Sequence, residues 1–202
     1  MIDHQNKFIY VPIPKTASQA IVSGLNLDNI PEPALYHNTL EHFISEDYKK
    51  HINYYKFSIV RNPWDKLASL WRDFTIHRKK QYSAQHTANE YLFSQFNNFE
   101  DLCLNLKDSF WSQNVFFRPQ VYFLCYAGQM TVDYIGRFEK LASSYEEICT
   151  KIGINPKKLN IINSTMSHTR DPKHYRSLYN NKTSQAIHDF YHLDIKTFKY
   201  EF

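Results

Sequence analysis

The sequence predicts an α/β fold, with a parallel β-sheet flanked by helices and a single domain over residues 1–202, and three stretches carry that reading. Each is an apolar strand that runs through a turn into a helix-period segment: 8–21, 57–71 and 132–152. Strands alternating with helices in this way call for parallel neighbours joined by right-handed crossovers. A chain of 202 residues, 43% hydrophobic and 16% aromatic, can bury a core of that size.

The first stretch is Phe8-Ile9-Tyr10-Val11-Pro12-Ile13-Pro14-Lys15-Thr16-Ala17-Ser18-Gln19-Ala20-Ile21. Pro12 and Pro14 end the strand, because proline cannot continue a ladder. Helical spacing then resumes at Ile21, Val22 and Leu25, with Gly24 a weak point. Strand, turn and helix start bring backbone N–H groups, two hydroxyls and the Lys15 cation to one small volume, which suits an anion. An ordinary strand-turn-helix with a solvated lysine is the competing reading.

The second is Phe57-Ser58-Ile59-Val60-Arg61-Asn62-Pro63-Trp64-Asp65-Lys66-Leu67-Ala68-Ser69-Leu70-Trp71. Asn62 is a good N-cap, Pro63 suits the first helical position and Asp65 favours the first turn. Leu67, Leu70, Trp71 and Phe74 form one apolar stripe. Ser69 lies roughly 150° from its centre, at about 100° per residue, and so points away from the core. Arg61 and Ser69 can flank one groove with a donor fork and a hydroxyl, a pairing suited to a phosphate.

Together the two motifs resemble the sulfotransferases that use 3′-phosphoadenosine 5′-phosphosulfate (PAPS), above all the carbohydrate-type branch and its bacterial relatives. "FFRPQ" (116–120), "DYIGRFEKL" (133–141) and the tail from 174 to 202 add to the likeness, which runs with gaps over most of the chain. The resemblance implies a P-loop-like arrangement of the sheet. It implies that Pro14, Lys15, Thr16, Ala17, Ser18 and Gln19 hold the 5′-phosphosulfate of PAPS, and that Arg61 and Ser69 hold its 3′-phosphate. The family usually has two glycines after the lysine-threonine pair, where this chain has Ala17 and Ser18. The two can serve if the turn stays in ordinary helical space, and Ser18 then offers a hydroxyl.

After the turn-rich connection 26–33, Leu35-Tyr36-His37 reads as a short strand or a loop edge. Asn38 followed by Glu41 resembles a capping box for a helix over 39–50. The resemblance puts a catalytic histidine or glutamate near this point, so His37 is the candidate base, with Glu41 and His42 as fallbacks. A histidine of unperturbed pKa near ~6.5 can accept a proton from a sugar hydroxyl at neutral pH. The alternative is a surface histidine, one of ten.

The charged run His77-Arg78-Lys79-Lys80 reads as a grip for an acidic acceptor or as a solvated helix end. An amphipathic helix is expected over 99–110, and Arg118 or Gln120 either touches acceptor or sulfonate or packs a loop. Residues 132–138 read as a core strand and 140–152 as a helix with Leu141, Tyr145, Ile148 and Ile152 on one face and Gly153 as its stop. Arg137 and Glu139 close the strand, either towards a ligand or as a pair. The polar loop 163–182 has the composition to fold over the nucleotide, with Arg170, Lys173 and Tyr175 as contacts, or to be a surface loop. The last helix starts from Thr183 as N-cap and buries Ile187, Tyr191, Ile195 and Phe198.

Net charge of +4 fits an anionic ligand and lacks the basic stripe of a nucleic-acid binder. Cys103, Cys125 and Cys149 are scattered, with no C-x-x-C, and read as reduced core residues; no metal cluster is evident. Asp3, His4 and Lys7 precede only a short apolar run, and no run of about 18 apolar residues occurs, so neither a signal peptide nor a membrane span is expected. The expectation is a cytoplasmic protein of bacterial type.

The function expected is transfer of a sulfuryl group from PAPS, without a metal, to a hydroxyl or amine of a glycan or small hydroxylated molecule. A P-loop-type kinase or nucleotidase is the runner-up, but G-x-x-x-x-G-K-[ST] is absent because Pro-Ile-Pro precedes Lys15. A non-catalytic adenosine-phosphate-binding protein is the third reading.

Overall fold

The computed structural model describes residues 1–27, 37–73, 75, 94–159 and 174–202. Leu35, Tyr36, Phe74, the basic run 77–80 and most of the loop 163–182, with Arg170 and Lys173, lie outside the described residues. The chain divides into two compact units, Met1–Arg61 with Pro119–Asn163, and Asn62–Arg118 with Ser164–Phe202.

The first unit is built on a four-stranded sheet in the order β1 (Ile2–Asp3), β2 (Phe8–Val11), β3 (Tyr55–Val60), β6 (Tyr134–Arg137). Strands β2, β3 and β6 are parallel, as expected. β1 is antiparallel to β2, so the sheet is mixed rather than purely parallel. Two residues are too few for a period-2 pattern to register; the return is made by a turn in which Asn6 donates backbone and side-chain N–H groups to the Asp3 carboxylate. All four residues of β2 and five of the six in β3 are buried; β2 reads as an unbroken apolar run, whereas β3 also buries Lys56 and Ser58. A small hairpin, β4 (Cys125–Tyr126) with β5 (Gln129–Met130), completes the strands.

Helix α1 (Ser18–Gly24) follows β2. The helix expected over 39–50 is two: α2 (Leu40–Glu46) and α3 (Tyr48–His51). Asp47 divides them, because its carboxylate accepts from Lys50 N–H and starts a new helix. The cap of α2 is Thr39, not Asn38: its side chain accepts from His42 N–H. Short α6 (Gln120–Phe123) precedes the hairpin, and α7 (Leu141–Ile152) follows β6 and ends at Gly153, whose φ of 72° glycine tolerates. Tyr145 and Ile148 of α7 join Phe8, Tyr10, Ile21, Phe57 and Ile59 in the core of this unit.

The second unit is helical: α4 (Pro63–Arg72), α5 (Phe99–Asn105), α8 (Asn181–Phe190) and α9 (His192–Phe198). Asn62 caps α4 as expected, accepting from the backbone of Trp64 and Asp65. Helix α5 stops short of residue 110, where a separate 3₁₀ turn, Phe110–Gln113, begins. The cap of α8 is Asn180 rather than Thr183; Thr183 is its capping-box partner three residues on. Trp64, Leu67, Leu70, Phe99, Ile187 and Tyr191 meet in this core.

Lys66 is 1% exposed within that core. Its ammonium donates to the carbonyls of Phe116 and Arg118 and lies over the Tyr191 ring. Burial pushes it down to about 8 from 10.5, against the opposing pull of the Asp194 charge. Between these values the unfolded chain holds a proton that the folded chain has released, so the contribution of Lys66 to stability rises with pH. Measured relative to Lys66→Met in urea titrations, the wild type should gain about 2 kcal/mol from pH 8 to 10. At Gly136, a Cβ would sit 2.5 Å from Ile59 Cδ1 and 2.8 Å from Ser144 Cβ. Gly136→Ala should therefore lower unfolding free energy by roughly 1–3 kcal/mol in the same assay, as overpacking does.

Candidate functional site

Residues 12–18 leave the end of β2 as a tight turn whose backbone is unusual. Lys15 and Ala17 both have φ of 66°, in the left-handed region, and Thr16 between them does not. The turn therefore leaves ordinary helical space at Ala17, so the condition set from the sequence for Ala17 and Ser18 to replace two glycines is not met there. The chain takes the path that glycine favours without having glycine there. Alternation of φ sign turns successive backbone N–H groups towards one side, the geometry of an anion-binding nest.

Side chains hold the turn from beneath. Thr16 is fully buried, and its hydroxyl donates to the Ile13 carbonyl at 3.0 Å. The Ser18 hydroxyl donates to the same oxygen at 3.0 Å. Both hydroxyls thus stabilise the turn in this arrangement. Gln19 is exposed, Pro14 buried, and Lys15 half-buried.

Arg61, at the end of β3, is 4% exposed. One guanidinium N–H donates to the Lys15 carbonyl at 3.0 Å, across 46 residues of sequence. The guanidinium carbon lies 3.9 Å from the centroid of Phe138. Parallel register explains that neighbour: Val60 pairs with Arg137, so the next residue on each strand meets the other. The Gln120 side chain satisfies the Arg61 backbone in both directions, accepting from its N–H and donating to its carbonyl, each at 2.8 Å. Gln120, expected at an acceptor or in a loop, thereby pins the residue on which the two motifs converge.

His37 lies with its Nδ1 3.1 Å from the Pro12 carbonyl, at the start of the same turn. A carbonyl oxygen only accepts, so Nδ1 carries the hydrogen, and the lone pair of the neutral ring is on Nε2. The fallbacks lie on α2: Glu41 is exposed, and His42 is 3.1 Å from Glu46.

In the second unit, Ser69 is 4% exposed, because α4 buries Lys66 and Ala68 as well as its apolar stripe. The expectation that Ser69 faces away from a core is thus not met: the helix is covered on more than one side. Tyr175 belongs to the core of this unit and packs edge-on to Phe202. Arg118 sends Nε to the Gln113 carbonyl. Sequence reasoning missed Phe138 beneath Arg61 and the buried Tyr10 beside the turn. Strand alignment could have found the first; nothing in the spacing marks the second.

All three cysteines are free thiols. Among the described residues no helix is long and apolar enough to cross a membrane, and no three metal-ligating side chains converge.

Comparison with known proteins adds one finding: the model of the sulfotransferase family matches residues 1–201, through both units. No curated protein and no solved structure gives a significant match.

A left-handed alanine costs about 1–2 kcal/mol, part of which glycine returns by its larger unfolded-state entropy. Ala17→Gly should leave stability unchanged or raise it by up to about 1 kcal/mol. Ala17→Val should lower it by at least about 1 kcal/mol, since a β-branched side chain fits that region worse. Thermal melts of both variants check this.

Proposed function

The chain belongs to the sulfotransferase family, and from that premise we propose that it moves a sulfuryl group from PAPS to a hydroxyl or amine of a glycan or small hydroxylated molecule. The observation that carries the reading is the bond from Arg61 to the Lys15 carbonyl, because it draws the two nucleotide motifs together. Two such motifs are of use only if they reach one nucleotide at once.

The turn 14–19 takes the 5′-phosphosulfate, with Lys15 and the backbone N–H groups of Thr16, Ala17, Ser18 and Gln19 facing negative charge and Pro14 setting the entry. Alternating φ across the turn supports this. Arg61 and Ser69 are assigned to the 3′-phosphate, because a guanidinium fork and a hydroxyl are donors suited to it. Arg170 and Tyr175 are assigned to the nucleotide on the resemblance alone.

In the reaction, the acceptor oxygen or nitrogen attacks sulfur and the bond from sulfur to the 5′-phosphate oxygen breaks. That oxygen leaves with the electron pair, as adenosine 3′,5′-bisphosphate. His37 Nε2 takes the acceptor proton, a role supported by the Nδ1 contact that fixes its tautomer. Lys15 and the turn amides neutralise charge growing on the leaving phosphate. Positioning and fixed charge supply most of the acceleration in such group transfers, as in phosphoryl transfer.

Adenosine 3′,5′-bisphosphate should raise the melting temperature without magnesium. Stabilisation by ATP with magnesium alone would instead favour a kinase. With labelled PAPS and a panel of sugars and cell-envelope extracts, His37→Ala should lower transfer by about 10²–10⁴-fold while keeping the bisphosphate shift. Lys15→Ala should abolish transfer in a folded protein. Undiminished transfer by either variant removes that residue from the mechanism.

A further inference from the structure

Arg61 stands between two elements. β3 ends at Val60, which pairs with Arg137, and α4 begins at Pro63, so the peptide group of Arg61 belongs to neither strand nor helix. At 4% exposure it is also largely out of reach of water. Gln120, itself fully buried, serves it with a side-chain amide: Oε1 accepts from the Arg61 N–H and Nε2 donates to the Arg61 carbonyl, each at 2.8 Å. A facing residue in an antiparallel pair exchanges N–H and C=O in this way; here a side chain does it. Both amide atoms are needed, because a carboxylate offers no hydrogen to the carbonyl and an apolar side chain makes neither bond. The side chain of Arg61 is held separately. Its guanidinium carbon lies 3.9 Å from the Phe138 ring centroid, and one N–H donates to the Lys15 carbonyl at 3.0 Å.

We infer that Gln120 and Phe138 are positioning residues for a 3′-phosphate: they fix Arg61 in the ligand-free fold, and the preference for nucleotides that carry a 3′-phosphate depends on them. The amide bonds fix the backbone and so the direction in which the Arg61 side chain leaves it. The ring then takes one face of the guanidinium plane, and the Lys15 carbonyl sets its rotation within that plane. An arginine ordered only on binding loses rotamer freedom at that moment, and its ligand binds more weakly for it. One ordered during folding meets the phosphate already aimed. Gln120 thereby acts in nucleotide selection, through Arg61, rather than at the acceptor. The inference rests on the assignment of Arg61 to the 3′-phosphate. The turn that takes the 5′ end has supports of its own, the Thr16 and Ser18 bonds to the Ile13 carbonyl, so the two ends of a nucleotide can be tested apart.

Calorimetric titration of wild type, Gln120→Met, Phe138→Leu, Arg61→Met and the double variant Gln120→Met/Arg61→Met tests it, with adenosine 3′,5′-bisphosphate and with adenosine 5′-monophosphate. Gln120→Met and Phe138→Leu should each bind the bisphosphate about five- to tenfold more weakly. Their affinity for the monophosphate should stay within about twofold of wild type, since that nucleotide has no group for Arg61 to meet. Arg61→Met should lose most of the preference for the bisphosphate. The double variant should bind it within about twofold of Arg61→Met, because Gln120 acts through Arg61. A merely structural glutamine would weaken both nucleotides alike. Either single variant that keeps the wild-type preference, or weakens the two nucleotides equally, overturns the inference and leaves Arg61 at the 3′-phosphate. A wild type with no preference, or an Arg61→Met variant with all of it, removes Arg61 from the 3′-phosphate, and the inference falls with that assignment. Should circular dichroism show Gln120→Met unfolded, Phe138→Leu, which leaves both bonds to the Arg61 peptide group in place, decides alone.

Discussion

A buried guanidinium is the constraint on which the first unit turns. Arg61 is 4% exposed, and a cation so placed must be compensated by what surrounds it. Three parts of the chain supply that compensation. The turn after β2 offers the Lys15 carbonyl, the segment after β6 offers the face of Phe138, and α6 offers the amide of Gln120 to the backbone. Movement of any of these would take a partner from a buried charge or a buried peptide group. The carboxyl ends of three parallel strands are thus tied together, the end of an open α/β sheet at which ligands generally bind.

The turn bound to Arg61 has its own cost and its own support. Two residues with side chains, Lys15 and Ala17, adopt left-handed backbone. Such conformations persist where the surroundings over-determine them, often at sites of function. Here the surroundings are two hydroxyl bonds to the Ile13 carbonyl and the arginine bond to the Lys15 carbonyl. A turn held in this way meets an anion with little further ordering, which is how a preorganised site keeps its binding energy. Ser18 also brings a hydroxyl that glycine lacks, and that hydroxyl donates to the Ile13 carbonyl.

The second unit shows the same economy with buried charge. Lys66, in the middle of α4, reaches the carbonyls of Phe116 and Arg118. It thereby holds the segment that leads to Gln120, and a motif residue with no apparent chemistry proves to be an internal strut. A lysine four residues into a helix reads as solvated by ordinary patterning. Its burial follows from a helix covered on more than one side, which periodicity along one stripe does not reveal.

Much of this was legible in the residues themselves. An unbroken apolar run announced β2, the largely apolar Phe57-Ser58-Ile59-Val60 announced β3, Asn62-Pro63 announced the start of α4, and Gly153 announced the end of α7. These are local signals, written by period, cap chemistry and positive φ, and neighbours in sequence suffice to read them. Two strand-turn-helix motifs likewise named the family. The tertiary structure alone decided the rest. It added an antiparallel edge strand too short to show a period, split one helix at Asp47, and moved two caps to residues whose side chains reached the open N–H groups. It also set Phe138 under Arg61, Gln120 on its backbone, and Ser69 and Tyr10 in burial. Each depends on which distant groups must share a dry interior, and the demand that buried polar atoms be satisfied acts only once the chain has folded.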